Sequence, residues 1–264
     1  MKTVELVARP KEPHFVGDGF RVHNFIPSAF RLDMQRMDPF IMLDYNSTYN
    51  FPPADKPKGV GVHPHRGFET VTYLLAGKMR HKDNQGHEGL IQAGGVQWMT
   101  AGKGIIHSEM PEQENGLLHG FQLWVNLPKK AKMVDPNYQE FSPEEIPVEK
   151  REGNTQLKII TGKTSQGTIG PVVNHYIKPV MLHAQIQNKG ETFTETLNQS
   201  ANSFIYVISG SLTVNQENQQ TASLNTVKTR DLAVLSQAQT LKITALENNT
   251  QFLFVSAQPI NEPI

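Results

Sequence analysis

The chain has 264 residues, with 25 Lys and Arg against 25 Asp and Glu, a formal net charge of zero, ten histidines and no cysteine. That length allows two domains of ordinary size or one large one. The lack of cysteine excludes disulfides, iron–sulfur clusters, thiolate zinc sites and a cysteine nucleophile, and neutrality removes the usual electrostatic footprint of a nucleic-acid binder, so no direct nucleic-acid binding is expected.

The first residues, Met1-Lys2-Thr3-Val4-Glu5-Leu6-Val7-Ala8-Arg9-Pro10, lack the apolar stretch of a signal peptide. No segment approaches the ~18 apolar residues of a membrane span. A soluble cytoplasmic protein without membrane contact is therefore expected, and neutral charge with short strands is compatible with a monomer.

Further along, short apolar runs are cut by Gly, Pro and Asn. Residues 70–75, Thr-Val-Thr-Tyr-Leu-Leu, are rich in β-formers and end at Ala76-Gly77. Lys82-Asp83-Asn84-Gln85-Gly86 has the composition of a hairpin turn, which would leave the flanking His81 and His87 exposed. Residues 121–125 alternate apolar and polar as a half-buried strand does. Residues 128–134 begin at Pro128 and are rich in Lys, predicting one short helix. The stretch 135–154 holds Pro136, Pro143, Pro147 and Glu144-Glu145 and has little β pattern, so a boundary is expected there, with domains at 1–135 and 136–264.

In the second half, Gly162-Lys163-Thr164 hints at a phosphate-binding loop, but Leu157 stands where the first glycine belongs. Residues 204–208 end at Ser209-Gly210, residues 212–214 follow, and residues 252–255 close the series. Short strands separated by turns predict an all-β protein of sandwiches or barrels. A weak internal echo, Thr72-Tyr73-Leu74-Leu75-Ala76-Gly77 against Ile205-Tyr206-Val207-Ile208-Ser209-Gly210, suggests a duplicated barrel.

Six of the ten histidines lie between residues 63 and 119: His63, His65, His81, His87, His107 and His119. In a strand, residues i and i+2 share a face. His63-Pro64-His65 can therefore aim both imidazoles at one point, and His107-Ser108-Glu109 can do the same with an imidazole and a carboxylate. Three imidazoles and one carboxylate suit one divalent first-row ion, Fe(II), Mn, Ni, Co, Cu or Zn, rather than Ca or Mg. Four protein donors in a six-coordinate site leave two positions for water, oxygen or substrate. Glu69 lies six residues after His63 and would share its face on an unbroken strand, so parity does not choose between Glu69 and Glu109. His119, before Gly120, is placed beside the site or in the core.

The run His63-Pro64-His65-Arg66-Gly67-Phe68-Glu69-Thr70-Val71-Thr72-Tyr73-Leu74-Leu75 closely resembles the signature of the pirin family, a bicupin group. The resemblance continues through Gln97-Trp98-Met99-Thr100-Ala101-Gly102-Lys103-Gly104-Ile105-Ile106-His107-Ser108-Glu109-Met110-Pro111 and Phe121-Gln122-Leu123-Trp124-Val125-Asn126-Leu127-Pro128, and upstream through Asp38-Pro39-Phe40-Ile41-Met42-Leu43-Asp44. It extends to Ser203-Phe204-Ile205-Tyr206-Val207-Ile208-Ser209-Gly210 and Asn261-Glu262-Pro263-Ile264.

It implies two cupin (jelly-roll) β-barrels packed together with few short helices. The N-terminal barrel would hold one metal, Fe(II) first, on His63, His65, His107 and Glu109. The C-terminal barrel would be degenerate, with Glu191-Thr192-Phe193-Thr194-Glu195 in place of a His-x-His. Glu69 is then the expected catalytic base. The implied function is a quercetin 2,3-dioxygenase-type oxidoreductase acting on a flavonol or related polyhydroxylated aromatic with molecular oxygen. The alternative is a non-enzymatic, iron- or redox-responsive protein that binds a protein partner as a transcriptional cofactor.

Overall fold

The structure is a computed structural model that describes residues 1–28, 34–52, 56, 58–112, 117–215 and 226–263. Ile264, the last residue of the family-like tail, lies outside them. The strands in chain order begin with β1 (Val4–Ala8), β2 (His14–Val16), β3 (Phe20–Ile26), β4 (Phe40–Asn50), β5 (Val60–His65), β6 (Phe68–Ala76) and β7 (Lys78–Asp83). Next come β8 (Glu88–Gln92), β9 (Val96–Thr100), β10 (Ile105–Pro111), β11 (Leu117–Asn126), β12 (Asn137–Phe141), β13 (Val148–Lys150) and β14 (Gln156–Thr161). The last are β15 (Val180–Ile186), β16 (Thr192–Thr196), β17 (Asn202–Ser209), β18 (Ser211–Val214), β19 (Thr226–Lys228), β20 (Leu232–Leu235), β21 (Thr240–Ala245) and β22 (Thr250–Ala257).

The protein is all-β, as its spaced short apolar runs require. Between Pro128 and Val134, where a helix is expected, only a single 3-10 turn forms, Lys129–Ala131. Too few intrachain hydrogen bonds are available over so short a segment to offset helix nucleation.

The chain forms two compact units. One is made of Pro10–Met34, Pro39–Glu145 and Ile260–Ile264, the other of Met1–Arg9, Gln35–Asp38 and Ile146–Pro259. These bounds differ from 1–135 and 136–264. The passage falls between Glu145 and Ile146, and the first strand belongs with the C-terminal unit, where β1 hydrogen bonds antiparallel to β20. Strand polar groups need a partner edge, and nothing local in residues 4–8 says which edge that is.

Each unit has a seven-stranded and a four-stranded sheet. In the N-terminal unit the orders are β12-β9-β6-β11-β4-β3-β2 and β5-β10-β7-β8. In the C-terminal unit they are β1-β20-β17-β22-β15-β14-β13 and β16-β21-β18-β19. The orders correspond strand for strand, and the echo between residues 72–77 and 205–210 falls on equivalent β6–β7 and β17–β18 connections. Gly77 and Gly210 turn these corners at φ of 86° and 77°, a region that only glycine enters without steric cost.

The two interiors differ. In the C-terminal unit a continuous apolar cluster including Leu157, Phe193, Leu212, Val214, Ile243 and Phe252 fills the space between the sheets. In the N-terminal unit a smaller cluster around Phe20, Leu74, Met79 and Leu118 shares the interior with a cavity of about 640 Å³.

Candidate metal centre

Two neighbouring strands of the N-terminal four-stranded sheet carry the site. On β5 and β10, His63 stands directly opposite His107, while His65 stands opposite Ile105. The register shifts between His107 and Glu109, so on the β5 side Glu109 pairs with Val60. Alternation points His63, His65, His107 and Glu109 inward, as the sequence spacing predicts.

The nitrogens converge. His63 Nε2 lies 2.9 Å from His65 Nε2 and 3.1 Å from His107 Nε2. For metal–nitrogen bonds of ~2.1 Å, ligands at a right angle lie ~3.0 Å apart and ligands at a tetrahedral angle ~3.4 Å apart. The spacing matches two adjacent corners of an octahedron. His63 Nδ1 lies 2.8 Å from the carbonyl of Gly61, which places its proton on Nδ1 and turns the Nε2 lone pair toward the meeting point.

Burial, reinforced by the neighbouring rings, pushes His65 down to about 4 and His107 down to about 3. Both are neutral at physiological pH, the protonation state a metal requires. Unprotonated lone pairs about 3 Å apart repel, and a cation between them converts that repulsion into binding.

Glu109 is buried, and its Oε1 has no hydrogen-bond partner among the described residues. Burial raises its pKa to about 7, partly offset by His81 and by a hydrogen bond with Gln122. An orphaned buried carboxylate oxygen next to three imidazoles fits a cation. Glu109 is not in the tight group formed by the three histidines, whose nitrogens all lie within 4.8 Å of one another, but it lines the same cavity as His63 and His65.

Glu69, the expected catalytic base, is elsewhere. The strand does not continue from His65: Gly67, at φ 79°, turns the chain into β6, which belongs to the seven-stranded sheet. On β6, Thr72 donates to Gln122 Oε1 at 2.7 Å on the cavity face. Glu69 is one residue out of phase with Phe68 and Thr72 and so takes the other face. There its Oε1 accepts from Thr100 Oγ1 at 2.8 Å. Parity counted from His63 fails because the strand is broken.

The remaining histidines part company. His81, expected to be exposed, is buried on β7 directly opposite Glu109; it contacts Glu140, and its ring lies tilted against that of Tyr138 at 5.1 Å between centroids. The turn lies beyond it, at Asn84–Gly86, so alternation on β7 turns His81 inward. His87 is exposed and pairs with the buried Asp83. His119 bonds the Tyr45 hydroxyl at 2.9 Å and does not line the cavity.

Opposite the histidines, the seven-stranded sheet supplies an aromatic wall. Trp124 meets Phe68 at 4.6 Å and His65 at 5.2 Å between ring centroids. Asp44 and Asn46 on β4 and Asn24 on β3 also reach the cavity. Their role was not read from sequence; the available signal is the alternation Met42-Leu43-Asp44-Tyr45-Asn46, which places two polar side chains on one face of an otherwise apolar strand.

A duplicated jelly-roll with three inward imidazoles meeting at a cavity in one barrel is a bicupin with a metal-type site. Residues 19–125 match the Pirin family, and residues 181–264 match the Pirin C-terminal cupin domain. The chain is 40% identical over 253 residues to a pirin-like protein of Caulobacter vibrioides, covering 96% of this chain and 86% of that one. It is 35% identical over 254 residues to Pirin of Rattus norvegicus, covering 94% and 80%. A solved quercetin 2,3-dioxygenase from Acinetobacter baumannii superposes with a TM-score of 0.89 at 35% identity, covering 100% of this chain and 89% of that one. The chain belongs to the pirin family. Among the described residues no helix is long and apolar enough to cross a membrane.

Proposed function

We propose that the chain is a metal-dependent dioxygenase of the quercetin 2,3-dioxygenase type, with one Fe(II) held by His63, His65, His107 and Glu109. Its substrate is a flavonol or a related polyhydroxylated aromatic. The observation that carries this reading is the convergence of three imidazole nitrogens on the wall of an aromatic-lined cavity. The likeness to the Acinetobacter enzyme over the whole chain supports it. Fe(II) is the preferred ion because a nitrogen–carboxylate set with open positions is the arrangement of non-haem iron oxygenases; Mn, Ni, Co, Cu and Zn accept the same donors.

When bound, the metal supplies a Lewis acid for a substrate oxygen and redox chemistry toward dioxygen. The chain supplies the rest. The cavity of about 640 Å³ falls within the range of small-molecule sites, roughly 300–1,000 Å³. Trp124 and Phe68 offer ring faces and edges to a flat substrate. One carboxylate against a divalent ion leaves a net positive charge, which favours a deprotonated hydroxyl. With Glu69 on the far face of β6, the carboxylates that border the cavity among the described residues are Glu109 and Asp44.

Anaerobic loading with Fe, Mn, Ni, Co or Cu, followed by quercetin and oxygen, tests the proposal. Consumption of flavonol and oxygen together, greatest with Fe(II), is expected. No turnover with any of the five ions would sink it.

A further inference from the structure

The cavity has a second polar pole. Asn46 is only 3% exposed, and its side-chain Oδ1 has no hydrogen-bond partner among the described residues. Two residues away on the same face, Asp44 is 7% exposed. Its Oδ1 accepts from Asn24 Nδ2 at 2.7 Å, and this is its sole side-chain hydrogen bond among the described residues. Asn24 is itself fixed, donating to the carbonyl of Ile26 at 2.9 Å and accepting from the Ser28 N–H at 3.0 Å. Trp124 borders the same space with an indole N–H that has no acceptor among the described residues.

Val16, Phe20, Val22, Met42 and Val60 make much of the remaining lining apolar. Buried polar groups are normally paired, so an unpartnered amide oxygen beside a carboxylate in such a cavity calls for a ligand group. A hydroxyl both donates and accepts, and it satisfies the Asn46 amide whichever way that amide is turned. Burial also raises the Asp44 carboxyl above its ordinary range, against the pull of Asn24 and His14.

We propose that Asn46 and Asp44, braced by Asn24, form a subsite on the seven-stranded sheet that recognises a substrate hydroxyl other than the one at the metal. The enzyme thereby selects aromatics that carry at least two separated hydroxyls over those that carry one. This inference rests on the dioxygenase reading and assigns the specificity of the same cavity.

The test is anaerobic equilibrium binding to the metal-loaded full-length protein, comparing quercetin with 3-hydroxyflavone, which keeps only the 3-hydroxyl. Quercetin is expected to bind at least about tenfold more tightly, the effect of one buried hydrogen bond left unmade. Asn46→Leu, similar in shape, is expected to bring the ratio of the two dissociation constants close to one. Asp44→Asn is expected to lower it at least about threefold. Should Asn46→Leu fail to fold, the ratio in Asp44→Asn decides. Equal binding of both flavonols by the wild type, or an unchanged ratio in the folded variants, would overturn the subsite and leave the dioxygenase standing. Failure of both flavonols to bind would overturn the dioxygenase reading, and the subsite with it.

Discussion

The four-stranded sheets of the two units have the same ladder and opposite contents. In the N-terminal unit His107 on β10 stands between His63 on β5 and Asp83 on β7, and Glu109 stands opposite His81. In the C-terminal unit Ile243 on β21 stands between Phe193 on β16 and Val214 on β18, and Ala245 stands opposite Leu212. His65 corresponds to Glu195. At matching registers His63, His65, His107 and Glu109 become Phe193, Glu195, Ile243 and Ala245. One backbone thus encloses a polar-edged cavity in one unit and a packed apolar core in the other. Strand pairing is indifferent to side-chain chemistry as long as each face is satisfied.

The exception in the second ladder is Glu195. It is buried and held by Arg151 Nη2 at 2.6 Å and by the Ser165 N–H at 2.6 Å. Arg151 also contacts Glu149, which accepts from Thr164 Oγ1 at 2.6 Å. Thr164, the last residue of Gly162-Lys163-Thr164, thus contributes to an internal ion-pair network. Where His65 offers a lone pair to the cavity, Glu195 is neutralised in place.

Breaking that network should produce the largest effect. Arg151→Met would strand two buried carboxylates and is expected to destabilise the protein by about 3–5 kcal/mol, read as a shift in the urea midpoint. An unchanged midpoint would mean the pair is solvated in solution. Next comes a matched pair of substitutions at equivalent registers. Ile243→Ala should cost about 2–5 kcal/mol of stability through an unfilled cavity and leave metal content intact. His107→Ala should weaken metal binding by at least about 100-fold, followed by elemental analysis and competition with a chelator. If Ile243→Ala emptied the metal, or His107→Ala did not, the division of labour between the ladders would be wrong.

A third experiment uses acid. Burial holds His183 on β15 down to about 4, against the hydrogen bond with Gln251 that favours its charged form. The unfolded chain takes up that proton near pH 6.5 and the folded one does not. Stability is therefore complete above pH 6.5 and declines as pH falls toward 4, by at most about 3 kcal/mol. His183→Gln should flatten that part of the pH–stability curve; an identical slope in variant and wild type would show that His183 titrates normally. The smallest effect sharpens the carboxylate assignment. Glu109→Gln should lower metal affinity at least about tenfold, while Glu69→Gln, on the far face of β6, should hold metal as the wild type does. The reverse result would restore Glu69 to the site.

Much of this was legible in the residues. Alternation is local, so the strands around residues 70–75, 121–125, 204–208 and 252–255 and the shared faces of His63 with His65 and of His107 with Glu109 could be read directly. The cluster of histidines and the absence of cysteine restricted a metal to nitrogen and oxygen donors. Tertiary structure decided what parity leaves open. Gly67 breaks the strand and sends Glu69 into a different sheet, facing away, so that of these two glutamates Glu109 is the one that lines the cavity. Pairing with β10 buries His81, which the adjacent turn had suggested was exposed. Residues 4–8 find their edge in the C-terminal unit at β20, and Asp44 and Asn46 gain a role because β4 faces β5 across a cavity. Sequence specifies which side chains share a face; which face becomes the inside depends on partners distant in the chain.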